Sequence, residues 1–346
     1  MAALIRWFEK EARDLPWRRS SSPWRTLVSE FMLQQTQVAR VEERFEKFLE
    51  EFPTPGAMVA AGEDEVLAAW EGLGYYRRAR FLHASASAIV GDHGGEVPPD
   101  AKTLLSLPGV GRYTAGAISS IAFGCREPIV DGNVTRVVAR LSGTDARGDD
   151  GDLIDASWAA STAMVEATGR PGDLNEALME LGATVCTPAS PRCEGCPVES
   201  VCLARAQGRE KEIPRPKSRP TRTVLHIHLV LVRRNDEYLF ERRPAKGVWG
   251  GLWQPIGVES DTELQIDEVV ERIGPWLISA NPLARIRRLL THREVHLHLL
   301  AGGVADEGVP IEIGDSRAWL GEQAVLELGL PKPVRSLLDR HLWPEV

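Results

Sequence analysis

Four of the chain's five cysteines lie within one short segment, and clustered thiolates are ligands for soft metals. They are Cys186, Cys193, Cys196 and Cys202, with six, two and five residues between them. Four thiolates suit either a tetrahedral zinc ion or an iron–sulfur cluster. A zinc ribbon usually has two Cys-x-x-Cys pairs and this segment has one, so the spacing favours an iron–sulfur cluster over zinc. Either metal centre is favoured over four inert thiols. Disulfides do not suit the reducing compartment expected below, and Cys125 is expected to pack as a small apolar residue.

A glycine-containing turn at Leu107–Gly111 could bind a phosphate group, because glycines allow successive main-chain N–H groups to point outward at a helix N-terminus. Such a turn alone is weak evidence. It lies twenty residues before Asp131, which itself precedes an apolar-periodic helix reaching Leu141. An aspartate in that place is a good helix N-cap, and an N-cap carboxylate is fixed in position by the helix.

Two other stretches carry side chains that suit nucleic acid. Gln34–Gln37 is an uncharged run of amides and a hydroxyl, which can read base edges. Gly72–Arg80 places two tyrosines beside three arginines, which suits base stacking and phosphate contact. Ordinary exposed helix faces prefer Lys and Glu to such an amide run. The structural alternative for the second stretch is one buried tyrosine with a solvated arginine face.

Helices must position most of these groups. Apolar residues at three- and four-residue intervals predict one long helix over Trp24–Phe52 that contains Glu30 and ends at Pro53. Read alone, Glu30 is a solvated carboxylate. Further helices are predicted from the turn at Gly72 to about Val90, and over Pro98–Leu107, Arg112–Phe123, Asp152–Gly169 and Asp173–Cys186.

The composition changes after Cys202. Residues 207–222 are rich in Arg, Lys and Pro and are predicted to be a linker. Strands are predicted over Thr223–Arg233, Tyr238–Arg242 and His296–Ala301, which makes the second domain α+β. Alternating histidines at 226, 228, 296 and 298 could suggest a metal site, although such alternation is more typical of a strand's polar face.

The charge distribution excludes indiscriminate binding to nucleic acid. The chain has 346 residues and a net charge of −8, and its one net-basic segment is the connector over residues 206–224. Contact with DNA would therefore depend on local patches and main-chain amides. Charge interrupts the N-terminus too early for a signal peptide, and no apolar run approaches membrane-spanning length. We therefore expect no membrane partner, a monomer, and a bacterial-type cytoplasm with nucleoid association.

Taken in order and spacing, these motifs resemble the helix-hairpin-helix DNA glycosylase superfamily, and within it the adenine DNA glycosylases of the MutY kind. The resemblance implies a multidomain fold: an all-α glycosylase domain with one structural 4Fe-4S cluster, and an α+β Nudix-like domain that recognises 8-oxoguanine. The helical domain is expected over residues 1–205, the linker over 206–223 and the Nudix-like domain over 224–346. Within the helical domain, a six-helix region is expected over about 22–135 and a cluster region over 1–21 and 136–205. Gly247–Trp253 resembles that domain's loop, whereas Glu259–Gly274 lacks the glutamates of a hydrolytic Nudix box.

The same resemblance assigns catalytic roles. It makes Glu30 the acid that protonates the adenine, Asp131 the catalytic aspartate and Asn133 its support. Tyr113 stands where relatives of the endonuclease III type carry a lysine that forms a Schiff base with the sugar. Tyrosine cannot do so, which predicts a monofunctional glycosylase.

The resemblance also assigns groups that contact DNA. Arg18 is expected among the base-recognition residues, and Glu176 at the adenine edge. Gln35 and Thr36 are expected beside the opposing base, and Leu73 and Tyr75 near the damaged base. Thr291 and His292 match a Phe-Ser-His loop that faces 8-oxoguanine, with Leu290 replacing the aromatic ring. The backbone contacts are expected from Gly109, Val110, Gly111, Arg77 and Arg78.

The predicted function is hydrolytic removal of adenine mispaired with 8-oxoguanine or guanine in double-stranded DNA. Breaking an N-glycosidic bond requires a protonated acid at the base and a carboxylate at the sugar, and the base must first leave the stack. Glu30, flanked by Phe31 and Leu33, suits the first role, and Asp131 the second. The alternatives are a thymine-mismatch or oxidised-pyrimidine glycosylase on the same scaffold and a non-catalytic DNA-binding protein.

Overall fold

The computed structural model describes residues 1–20, 22–218, 221–304, 313–314 and 316–342. The chain divides into two compact units. The helical unit comprises Met1–Ala60 and Phe81–Ser218, and the sheet unit comprises Ala61–Arg80 and Arg219–Val346. Assignment of residues 61–80 to the sheet unit is a feature that the sequence did not indicate.

Helices make up most of the described residues among the first 206. Among the described residues, no helix is long and apolar enough to span a membrane. The helices are α1 (Ala2–Glu11), α2 (Pro16–Arg19), α3 (Pro23–Leu33), α4 (Val38–Glu51), α5 (Pro55–Ala61), α6 (Glu63–Ala69), α7 (Arg77–Asp92), α8 (Ala101–Leu104), α9 (Arg112–Phe123), α10 (Gly132–Ser142), α11 (Gly151–Glu166), α12 (Pro171–Thr184) and α13 (Leu203–Ala206). Two short 3-10 helices, Cys193–Gly195 and Glu199–Val201, lie in the cysteine segment.

The long helix predicted over Trp24–Phe52 is in fact two helices, α3 and α4, so that prediction was wrong. The chain leaves the helix at Gln34–Gln37, where Gln35 takes a left-handed conformation with φ +56°. Local hydrogen bonds replace the helical ladder: the Thr36 amide and hydroxyl donate to the carbonyls of Leu33 and Gln34 at 3.3 and 3.4 Å. The polar run therefore lies in a turn between two helices and not on a helix face.

One core of the helical unit forms where α1, α10 and α12 pack together. Their apolar residues recur at three- and four-residue spacing and are almost fully buried; they include Leu4, Ile5, Phe8, Val134, Val137, Val138, Leu174, Leu178 and Leu181. Gly182 permits the close approach of α12 to the start of α10, because a Cβ at this position would lie 2.6 Å from the Cβ of Asn133. This contact fixes the helix terminus that carries Asp131.

The segment predicted as a linker packs against the helical unit as far as Ser218. Ile213 is 1% exposed and joins Ala139, Leu153 and Ala204 in a small core. The Arg140 Nε atom also donates to the Ile213 carbonyl at 2.7 Å. Residues 207–218 are thus ordered by burial and hydrogen bonding, despite a composition typical of a free linker.

The sheet unit is a mixed β-sheet between two layers of helix. Within the described ranges of the chain, its strands are β1 (Thr223–Arg234), β2 (Glu237–Arg242), β3 (Trp253–Pro255), β4 (Gly257–Ser260), β5 (Leu277–Leu289), β6 (Arg293–Val304) and β7 (Arg317–Gly321), with helices α14 (Ile266–Ile273), α15 (Glu322–Glu327) and α16 (Lys332–His341). The order is β3-β2-β1-β6-β5, with β4 on β1 and β7 on β2. Only the β1–β6 pair among these is parallel.

Both faces of β1 are buried, because one core includes residues of α16 and the other includes residues of α14. The sequence had favoured a strand's polar face for the alternating histidines, and the structure shows three of the four to be buried. His226, His228 and His298 are 8%, 2% and 8% exposed.

Candidate functional site

Glu30 lies on α3 with only 5% of its surface exposed. Ser22 caps this helix through its side chain, and Pro23 begins it, so the position of Glu30 follows from a well-defined helix start. Burial raises the pKa of Glu30 to about 7, and the charges of Asp131 and Glu176 act in the same direction. A hydrogen bond with Tyr113 opposes the shift. A large fraction of Glu30 is therefore protonated near neutral pH, as expected for a general acid.

Asp131 is the N-cap of α10, and hydrogen bonds hold both of its carboxylate oxygens. Oδ1 accepts from the Val134 amide at 2.7 Å, and Oδ2 accepts from the Asn133 side chain at 2.9 Å. The positive end of the helix complements the negative charge of the carboxylate. Two carboxyl groups in one site are thus held in contrasting environments, one buried and one hydrogen-bonded.

Arg136, which the sequence reading missed, connects Asp131 to the cysteine segment. Its guanidinium donates to Asn133 Oδ1 at 2.8 Å and to the carbonyls of Gly182 and Cys186, each at 2.7 Å. Burial lowers the pKa of Arg136 from its usual value. The sequence signal was its position one helical turn after Asn133, on the same face of α10.

Tyr113 lies in the first turn of α9, next to Glu30. Its hydroxyl hydrogen-bonds with Glu30 and lies 3.0 Å from the Met179 sulfur. Burial, together with the Glu30 and Asp131 charges, raises the pKa of Tyr113 well above its usual value. The side chain thus acts as a neutral donor beside the buried acid.

Arg18 and Glu176, which are 158 residues apart in the chain, form an ion pair with Arg18 Nε 3.0 Å from Glu176 Oε1. Burial raises the pKa of Glu176, against the opposing effect of Arg18. Arg18 also contacts Glu180, which pairs with Arg13 at 2.7 Å. Burial alone would raise the pKa of Glu180, but the two arginines lower it. Sequence reading named Arg18 and Glu176 as separate base-recognition residues. It predicted neither their ion pair nor the Arg13–Glu180 pair behind them.

The glycine turn before α9 has the geometry expected of an anion-binding turn, with one exception. Gly109 has φ +76°, and a Cβ there would lie 2.6 Å from the Phe81 side chain. Gly111 is the N-cap of α9 and provides no side-chain cap, which leaves first-turn amides available to a ligand. The exception is the Val110 amide, which donates to the Leu107 carbonyl at 3.2 Å; the expected contact of this residue with the DNA backbone stays a prediction.

Two further predicted groups meet within the sheet unit. The Tyr75 hydroxyl lies 2.6 Å from the Thr291 hydroxyl, and the Tyr75 ring is 47% exposed in a left-handed turn with φ +49°. Thr291 and His292 are exposed in the turn between β5 and β6, while Leu73 is buried. A polar hydroxyl pair beside an exposed ring can accept a base edge and stack on it.

Arg78 was predicted to contact the DNA backbone, and the structure corrects this. It is 7% exposed, and its Nη2 atom donates to the carbonyls of Leu73 and Gly74 at 3.2 and 2.9 Å. Its guanidinium also lies over the Tyr75 ring, and burial lowers its pKa to about 10. Arg78 thus fixes the turn that presents Tyr75, whereas Arg77 is exposed.

The four cysteines line one small cavity, and all four thiols are free. Burial raises the pKa of Cys193, and raises that of Cys196 to about 11. Partly buried thiolates that lie close together require a compensating positive charge, which a bound metal centre supplies. The donor set therefore fits a metal cluster.

Arg140, a second residue that sequence reading missed, supports the cysteine segment. Its Nη1 atom lies 3.2 Å from Cys186 Sγ and donates to the Thr187 carbonyl at 2.8 Å, and Nη2 donates to the Pro188 carbonyl at 3.0 Å. It is a buried arginine on α10, four residues after Arg136. The spacing places both arginines on the face of α10 that meets the cysteine segment.

Comparison with known proteins matches two family models. Residues 28–158 match the HhH-GPD superfamily of base excision DNA repair proteins, and residues 227–340 match the NUDIX domain. A solved structure described as a thermostable thymine-DNA glycosylase aligns with a TM-score of 0.54 and 28% identity, covering 60% of this chain and 94% of that one.

Curated relatives are named adenine DNA glycosylase. The human protein is 45% identical over 220 residues, which are 61% of this chain and 40% of the human protein, so this chain spans less than half of that relative's length. The protein from Mycolicibacterium smegmatis is 47% identical over 208 residues, which are 59% of this chain and 69% of that protein. From this identity and coverage, the chain belongs to the adenine DNA glycosylase family, within the HhH-GPD superfamily of base excision DNA repair proteins.

Proposed function

We propose that this protein hydrolyses the N-glycosidic bond of adenine mispaired with 8-oxoguanine or guanine in double-stranded DNA. The observation that carries the proposal is the pair formed by Glu30, buried with a pKa of about 7, and Asp131, held by two hydrogen bonds at the start of α10. This pair has the properties of the acid and the carboxylate that cleavage of a glycosidic bond requires.

In this mechanism Glu30 donates its proton to N7 of the flipped adenine, so that the base leaves as a neutral molecule. The Asp131 carboxylate stabilises the positive charge that develops on the sugar, or bonds to it transiently. Water finally adds at C1′ and gives a proton to a carboxylate of the site, which restores the proton that Glu30 donated. Asn133 holds the Asp131 carboxylate in place. Tyr113 hydrogen-bonds with Glu30 and has no amine, so it forms no Schiff base and strand cleavage does not follow.

Other groups determine which base pair the site accepts. The Arg18–Glu176 pair offers a donor and an acceptor to the adenine edge. Gln35 and Thr36 lie in the turn between α3 and α4, where an exposed amide can enter a duplex beside the opposing base. In the sheet unit, Tyr75, Thr291 and His292 provide the groups for 8-oxoguanine, and Leu290 provides no aromatic ring. The remaining backbone contacts come from Gly109, Gly111 and Arg77.

Cys186, Cys193, Cys196 and Cys202 would hold one 4Fe-4S cluster. When bound, the cluster supplies structural support by tying together a segment with little core of its own. We further propose that the protein acts as a monomer on DNA and, in a bacterial cell, at the nucleoid.

The decisive experiment is single-turnover base release from duplexes with adenine opposite 8-oxoguanine, guanine, cytosine or thymine. A thymine–guanine duplex is included because the aligned structure is a thymine-DNA glycosylase. We expect adenine release opposite 8-oxoguanine and guanine only. Thymine release, or no release from any duplex, would overturn the adenine assignment.

The Asp131→Asn variant tests the mechanism in the same assay. Asparagine is also a good N-cap, so α10 should persist and duplex affinity should be retained. The rate should fall at least about 100-fold. Full activity in this variant, with the fold intact, would exclude the proposed role of the carboxylate.

A further inference from the structure

Four histidines stack on one face of the sheet unit. β1 and β6 are parallel, with His226 opposite His296 and His228 opposite His298. Because side chains two residues apart share a face, all four imidazoles lie on the same side of the sheet. Their ring centroids are 4.4 to 6.2 Å apart and nearly parallel. Nothing in the glycosylase chemistry above uses this cluster.

Two of these imidazoles present nitrogen atoms to each other. His226 Nδ1 lies 3.0 Å from His298 Nε2, and each residue is 8% exposed. Burial lowers the pKa of His226, and lowers that of His298 to about 4. Neutral imidazole carries the lone pair that a metal requires. His228 is held separately, because its Nε2 atom accepts from the Leu264 amide at 3.4 Å.

A carboxylate completes the set. Glu263 lies three residues before α14. One of its carboxylate oxygens, one ring nitrogen of His226 and one of His298 all lie within 4.8 Å of one another. Ligands of a tetrahedral zinc ion lie roughly 3.3 Å apart at zinc–ligand distances of 2.0–2.1 Å. The two nitrogens are already near that separation, and Glu263 is 47% exposed, so its side chain can move the remaining distance.

The charges around this group permit a dication. The Arg285 guanidinium lies 3.0 Å from the Glu263 carboxylate and also contacts His296 Nδ1. His296 Nε2 lies 2.9 Å from Glu294 Oε1. Arg287 pairs with the same glutamate at 2.7 Å. The two arginines are thus matched by two carboxylates, and the paired imidazoles are neutral.

We propose that His226, His298 and Glu263 bind one zinc ion or a similar divalent transition metal. Two imidazoles and one carboxylate form a ligand set typical of zinc and leave the fourth position for water. The ion joins the segment before α14 to strands β1 and β6, and so stabilises the sheet unit. This site is independent of the four-cysteine centre and of the reaction proposed above.

The test is titration of zinc into the full-length protein with its cysteine centre loaded, in competition with a chromophoric chelator. The key variant is Glu263→Gln, because an exposed side chain can be changed without loss of the fold. Glu271→Gln is the matched control, since Glu271 is an exposed glutamate on α14 itself. We expect the wild type and the control to bind one zinc ion, and Glu263→Gln to bind it at least about 10-fold more weakly.

X-ray absorption at the zinc edge identifies the ligands in the wild type without any substitution. Nitrogen and oxygen neighbours at about 2.0–2.1 Å support the site, whereas sulfur at about 2.3 Å places the zinc on cysteines and overturns it. Equal zinc affinity in Glu263→Gln and Glu271→Gln, or no zinc bound by the wild type, would also overturn it. The histidines would then be a neutral hydrogen-bonded stack only.

Discussion

At the scale of single residues, environment separates the two carboxyl groups of the candidate site. Glu30 is surrounded by protein and shifts toward its neutral form, whereas Asp131 receives two hydrogen bonds at a helix terminus. The same chemical group is therefore prepared for proton donation in one place and for charge stabilisation in the other.

The pKa of Glu30 predicts the pH dependence of the reaction. The acid must be protonated to act, so the single-turnover rate should fall as pH rises above about 7, the value set by burial. Glu30→Gln cannot donate a proton and should lose about 100-fold to 10,000-fold in rate, with no such decline across this pH range. A variant that kept the wild-type profile would exclude Glu30 as the acid.

The same residue should lower stability at high pH. The pKa of Glu30 is higher in the folded state than its usual value of 4.5, so between these two pKa values the folded state binds a proton that the unfolded state does not. This proton binding stabilises the fold at low pH, and the stabilisation is lost as pH rises toward about 7. Glu30→Gln removes this cost, which is at most on the order of 3 kcal/mol. Urea unfolding should therefore show that the unfolding free energy of the variant, relative to that of the wild type, is higher at pH 8 than at pH 5. An equal difference at both pH values would contradict the shift.

Sequence reasoning proposed the candidate carboxylates and the cysteines, because residue type and order carry those signals. It did not predict the Arg18–Glu176 ion pair, and it expected an exposed Arg78, which is buried. Burial depends on which distant segment covers a residue, and an arginine in a basic run looks the same whether it faces solvent or holds a turn.

At the scale of elements, α10 organises the site. Its N-terminus carries Asp131, and its next turns carry Arg136 and Arg140 to the cysteine segment. The position of this helix depends on its close contact with α12 at Gly182.

Gly182→Ala should disturb both stability and catalysis. The added Cβ would lie 2.6 Å from the Cβ of Asn133, so α12 must move away from the terminus that holds Asp131. We expect a loss of about 1–3 kcal/mol in unfolding free energy, measured by urea titration, together with slower adenine release. Gly169→Ala is the matched control, because a Cβ there meets nothing within 4 Å. Similar behaviour of the two variants would argue against the close contact.

Hydrophobic periodicity predicted the longer helices of the helical unit, with α9 over its observed range of Arg112–Phe123, and strands β1, β2 and β6. It did not predict β5 or the helices α14, α15 and α16. The break between α3 and α4 was not predicted either. It depends on a left-handed glutamine, Gln35, and sequence rules expect glycine or asparagine in that conformation. The apolar spacing on either side is helical, so periodicity alone passes through the turn.

At the scale of the whole molecule, the two units are not contiguous in sequence. Residues 61–80 belong to the sheet unit, where the Tyr76 hydroxyl donates to the Leu330 carbonyl at 3.2 Å and Arg242 pairs with Asp64. Leu67 packs against the backbone at Gly329. Local patterning could not predict this assignment, because the partners lie far away in the chain.

A chain truncated after Ser218 tests this assignment. Residues 61–80 would lose these partners, and their amides should exchange with solvent faster than in the full-length protein. Amides of α10, whose partners remain, provide the internal control. Unchanged protection of residues 61–80 in hydrogen-exchange mass spectrometry would show that the segment is held by the helical unit instead.

The divided sheet unit also imposes an order of events on the ribosome. Tyr76 and its partner Leu330 are separated by 254 residues. At roughly 5–20 residues per second, synthesis of that interval takes on the order of 10 to 50 s. Throughout this time Leu67 and Trp70, which are buried in the folded chain, lack the strands and helices that complete their unit. Apolar surface exposed in this way makes a partly folded chain prone to aggregation.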